Sequence, residues 1–171
     1  MKKNNLLFIV LILLAGIFRL IPHPWNLTPV LAACLFSGFK IKPNRLALFL
    51  PLIAIFLGDI TLGFYKGMGW VYISYISVVA LALLLNKKNS IQAKFSAPIL
   101  GSFIFFFISN FGVWNGGFLY PKTFEGLIQC YISAIPFFKN TLIGTIIYFG
   151  IFFTISEYLE KSIFKIATSK N

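Results

Sequence analysis

Acidic side chains are what this chain has least of: four Asp and Glu stand against fifteen Lys and Arg, with a single His, in 171 residues. Charged residues of both signs make up only 11%, while 58% are hydrophobic. So little charge excludes a soluble domain, which could not hide that much apolar surface. The two cysteines, Cys34 and Cys130, and the lone His23 have no metal-ligand spacing, so no metal site is expected and both thiols read as unpaired small apolar residues. No phosphate-binding Gly-rich loop, His-Glu-x-x-His or Gly-x-Ser-x-Gly occurs. An acid/base pair would have to combine Asp59 with His23, about a helical turn or more apart in height, so the expectation is not an enzyme. No repeat, low-complexity tract or soluble domain breaks the chain, and residues 1–171 read as one integral membrane domain.

What is present is a succession of apolar runs, with a mean hydropathy of +0.87. Their lengths predict an all-α polytopic membrane bundle of six transmembrane helices, over Asn5–Leu20, Trp25–Phe39, Leu46–Phe64, Trp70–Leu85, Ala97–Trp114 and Thr141–Leu159. Lys2, Lys3 and the apolar run after them have the outline of a signal peptide, but the cleavage pattern is poor, and an uncleaved first helix is expected.

The net charge of +11 would suggest nucleic acid in a soluble protein. Here the basic residues instead alternate between connectors. Lys2, Lys3, Lys40, Lys42, Arg45, Lys87, Lys88, Lys94, Lys161, Lys165 and Lys170 fall on one side, and Lys66, Lys122 and Lys139 on the other. That asymmetry places both termini in the cytoplasm, with the lipid bilayer rather than nucleic acid as the partner. The longest connector, Asn115–Asn140, carries Phe124, Leu127, Ile128, Tyr131, Ile132 and Ile135 at helical spacing before Pro136. It predicts an additional amphipathic outer-face helix, acting over 122–138 as a lid or re-entrant element, or else spanning.

Between the first two runs lies Arg19-Leu-Ile-Pro-His-Pro-Trp-Asn-Leu-Thr-Pro-Val30. Three prolines there fix φ and disfavour helix at the preceding residues, giving a stiff strut that holds His23, Trp25 and Asn26 at the outer surface. At about 1.5 Å per residue, Arg19 and Asp59 each come out roughly 20 Å above the cytoplasmic end of their helices, with Asn110 at a similar height. Intramembrane charges cost on the order of 2.5 to 3.5 kcal/mol each, so Asp59 is expected to face Arg19, a shared ligand or a wet cavity. Arg19 could alternatively snorkel to the surface; the shorter Asp59 could not. Tyr72, Tyr75 and Trp114 belong to an aromatic belt or to the wall of a pocket, and Lys139 and Asn140 mark the outer start of the last span. The candidate ligand-binding set is thus Arg19, His23, Trp25, Asn26, Asp59, Tyr72, Tyr75, Asn110, Trp114, Lys139 and Asn140. No catalytic residue, metal or cofactor is assigned.

The segments Arg19–Pro29, Asp59–Phe64, Asn110–Trp114, Tyr120–Thr123 and Cys130–Thr141 resemble a family of small bacterial six-helix membrane proteins of unassigned function, labelled as candidate transport proteins. Size and helix count are also similar, more distantly, to the substrate-binding subunits of energy-coupling-factor vitamin transporters. This second resemblance implies a small-molecule ligand, such as a vitamin or cofactor precursor, and a membrane partner with ATPase subunits, with His23, Asp59, Tyr72 and Tyr75 at the site. The sequence departs from those subunits in lacking a Cys soon after Asp59, which argues against cobalamin. The expected function is capture of a small metabolite in an outward-facing cavity of the bacterial cytoplasmic membrane. The alternative is a non-transporting scaffold subunit of a protein assembly.

Overall fold

The computed structural model describes residues 3–22, 24, 26–88 and 90–168, so the expectations for His23 and Trp25 lie outside the described residues. The order is α1 (Lys3–Ile17), a 3-10 turn (Phe18–Leu20), α2 (Val30–Lys40), α3 (Asn44–Leu62), α4 (Met68–Lys87), α5 (Ile91–Gly116) and α6 (Phe124–Thr168). The described residues are all-α. α3, α4, α5 and α6 are long and apolar enough to cross a membrane, whereas α1 and α2 are shorter apolar helices.

α2 is the axis of the bundle. Val30 through Phe39 are all buried, and the helix packs against each of the other five. Phe36, with no exposed surface, meets the rings of Phe8, Phe152 and Phe153. Its C-terminal carbonyls, which a helix cannot satisfy internally, accept from the Asn86 side chain at Gly38 (3.4 Å) and Phe39 (3.1 Å). Just beyond, Lys40 pairs with Glu160 at 3.0 Å and lies over the Phe8 and Phe153 rings. Glu160 thus ties the end of α2 to α6.

Two expectations are corrected here. The second helix was expected from Trp25, but α2 starts at Val30, after Pro29, and its 11 residues reach only about 16 Å, half the hydrocarbon thickness. Just before it, residues 26–29 are irregular backbone, with Leu27 seated against Gly144 of α6. Secondly, the long outer connector with a separate amphipathic helix stopping at Pro136 is replaced by a short connector at 117–123 and one continuous helix, α6, running through Pro136. Pro51 and Pro98 likewise sit inside α3 and α5. Proline removes one hydrogen bond, and neighbouring helices make that loss tolerable in a membrane bundle.

The far end of the bundle is closed by loops. Gly117 adopts φ 66°, the left-handed C-terminal stop that glycine favours, and the Trp114 indole donates to Pro121 O (3.0 Å) and Thr123 O (3.2 Å). Lys66 lies over the Phe118 ring at 4.1 Å, joining the α3–α4 and α5–α6 connectors.

Candidate functional site

Close packing of α1 on α3 builds the charged centre. Gly16 leaves so little room that a Cβ there would sit 2.7 Å from Ala54 O. The 3-10 turn after α1 then carries Arg19 over the end of α3. Its Nη2 lies 2.7 Å from Asp59 Oδ1, and its Nη1 reaches Ile55 O at 3.5 Å. Asp59 has no exposed surface, and its Oδ2 accepts from Tyr72 Oη at 2.7 Å. The sequence reading that these two charges pair is met, and the snorkelling alternative for Arg19 is not. A carboxylate so placed needs both partners, since a buried charge left unmatched costs several kcal/mol.

Tyr75, one turn along α4 from Tyr72, stacks at a tilt on Phe105 of α5, ring centroids 5.2 Å apart. Beside it opens a cavity of about 220 Å³. Its polar wall is Arg19, Asn26, Thr28, Tyr75, Thr141 and Thr145, and its apolar wall is Leu31, Leu62 and Phe105. A second cavity of about 250 Å³ adjoins it, sharing Asn26, Phe105 and Thr141. Val71, Phe106, Val113, Phe137 and Phe138 make most of that chamber apolar, with Ser109 and Asn110 at its side.

Asn26 stands where the chambers meet. It has φ 61°, as the third residue of a turn closed by Leu27 N donating to Pro24 O at 3.0 Å. Asn is among the few residues that enter the left-handed region readily. Leu27 seats against Gly144 of α6, where a Cβ would lie 3.5 Å from its Cα. Irregular backbone in an apolar bundle is tolerated where protein covers it or where it lines a cavity; Leu27 packs on α6, and Asn26 and Thr28 line the cavity.

The match to known families runs over residues 1–167. The chain belongs to DUF6580, a family of unknown function. No curated protein and no solved structure matches it. The DUF6580 site has to be read from its own chemistry.

Of the residues singled out from sequence, the structure brings together Arg19, Asp59, Tyr72, Tyr75 and Asn26, with Asn110 on the second chamber. The Asn110 amide donates to Phe106 O at 2.8 Å, one turn back. Trp114 holds the connector carbonyls instead of facing either cavity, Lys139 is exposed on α6, and Asn140 lines neither chamber. Sequence reasoning missed Thr28, Thr141 and Thr145. Thr141 and Thr145, four apart, donate to the carbonyls of Phe137 (3.0 Å) and Thr141 (2.7 Å). Each hydroxyl oxygen keeps acceptor capacity toward the cavity. Two hydroxyls at i and i+4 in a Phe-rich helix mark one polar face, and that spacing was the available signal.

Proposed function

We propose that this protein is a membrane substrate-binding or transport protein that captures a small metabolite in an outward-facing cavity. The observation that carries the reading is the pair of joined chambers. They sit above a half-length buried helix, beside a buried Asp59 held by the half-buried Arg19 and Tyr72, and irregular backbone lines them. An apolar pocket with a few convergent polar groups is the usual form of a small-molecule site, and discontinuous helices near mid-membrane are the usual place for one in transporters. In this reading α1, and α2 together with the irregular segment before it, complete six crossings of the bacterial cytoplasmic membrane. The lysine-rich end, held by Lys40–Glu160, faces the cytoplasm. The start of α6 packs on α5 through Tyr131 Oη to Phe107 O (2.8 Å), and the part before Pro136 is the element placed to act as a lid. No catalysis is involved. Energy comes from a gradient or from a membrane partner with ATPase subunits.

Native mass spectrometry of the protein released from mild detergent tests the proposal. A non-lipid adduct of small-molecule mass is expected on the wild type. Its occupancy should fall several-fold in Thr145→Val, which removes a cavity hydroxyl at nearly constant volume. A wild type that carries no such adduct, and travels instead with a stable protein partner, would favour a scaffold.

A further inference from the structure

The chemistry of the two chambers narrows the ligand class. Among the described residues that line either chamber, Arg19 is the only ionic side chain and none is acidic. Asp59 stands behind Arg19 with no exposed surface, held by Tyr72, and so presents nothing to an occupant. A guanidinium carries five N–H groups in a rigid fork; beyond its contacts to Asp59, Ile55 and the Tyr65 hydroxyl, Arg19 still forms part of the cavity wall.

Two further sets of donors converge there. Tyr75 is only 8% exposed, lines the cavity, and has no hydrogen-bond partner for its hydroxyl among the described residues. α2 begins at the floor, where Leu31 joins the lining. Its N-cap is Pro29, with no side-chain cap, and the first helical bond runs from Ala33 N to Pro29 O at 2.9 Å. The N–H groups of Val30, Leu31 and Ala32 precede that bond. An uncapped helix start ending at about mid-membrane, beside a cation and a free phenol, favours a negatively charged oxygen.

The second chamber calls for the opposite character. Phe105 is common to both, and Phe106 and Phe138 face each other at 4.8 Å between ring centroids, 49° apart in plane. Such walls suit a flat apolar body, which stacks or meets them edge-on.

Resting on the binding function above, we infer that the joined chambers take a small carboxylate carried on a planar ring. The carboxylate lies against Arg19, Tyr75 and the start of α2, and the ring lies against Phe105 and the contacting Phe106–Phe138 pair.

The test uses the full chain in lipid nanodiscs, with binding followed by ligand-observed NMR titration. The probes are benzoate, benzamide, benzamidinium and octanoate, the first three nearly identical in shape. Benzoate is expected to bind about tenfold more tightly than benzamide, the margin between a charge-assisted and a neutral hydrogen bond, and benzamidinium not at all. Tyr75→Phe, which removes a hydroxyl with no structural partner, should weaken benzoate about two- to tenfold while the size-exclusion profile stays unchanged. Benzamide matching benzoate, octanoate exceeding it, or no probe binding would overturn the inference. If the native mass spectrum still shows a captured small molecule in those cases, the binding function stands and only the ligand class falls; loss of both removes both.

Discussion

A carboxylate with no exposed surface survives in an apolar bundle only if its charge is matched on the spot. Asp59 meets that condition through Arg19 and Tyr72. Asp59→Ala should therefore cost about 3–5 kcal/mol, because it strands a guanidinium whose side chain is only 16% exposed. The double variant Arg19→Met with Asp59→Leu, which strands nothing, should recover most of that loss in thermal unfolding in detergent. A double variant no more stable than Asp59→Ala would show that the pair is not the unit of stability. The pairing was legible in sequence because two rare charges came out at one height. The Thr141 and Thr145 hydroxyls were not, since a Thr donating to the carbonyl one turn back looks the same in sequence whether it faces lipid, core or cavity.

At the scale of elements, the site depends on how closely α1 approaches α3. Gly16→Val puts two methyl groups where Ala54 backbone already stands 2.7 Å from a Cβ, and overpacking of this kind costs about 1–3 kcal/mol. It should also draw Arg19 away from Asp59, so the melting temperature and the adduct occupancy should fall together. Gly150→Ala, with nothing within 4 Å of the new Cβ, is the control and should leave both unchanged. A Gly16→Val protein as stable as the control would mean that the α1–α3 contact does not set the charged centre. Helix positions for α3, α4 and α5 were readable from long apolar runs. The start of α2 and the continuity of α6 were not, because hydropathy cannot tell a buried half-helix from a tilted span, and Pro136 reads as a stop unless the neighbours that compensate it are known.

For the whole molecule the testable quantity is orientation. Lys66 and Leu119 lie in connectors at one end, Lys42 and Lys88 at the other. The two native thiols are buried, Cys34 at 0% and Cys130 at 2% exposure, so single cysteines introduced by substitution can be read against a low background. Lys66→Cys and Leu119→Cys should react with a membrane-impermeant maleimide on intact cells; Lys42→Cys and Lys88→Cys should react only after lysis. The reverse pattern would turn the cavity toward the cytoplasm and end the capture model.

The short central helix also constrains how the molecule comes into being. A transmembrane helix needs about 20 apolar residues, and the 11 of α2 fall well short of spanning alone. Its seat is decided by the five helices around it, so the floor of the cavity is completed only as those helices assemble. A variant that loosens α2 while sparing its neighbours should thus insert, keep its sidedness and accumulate in the membrane as an empty shell.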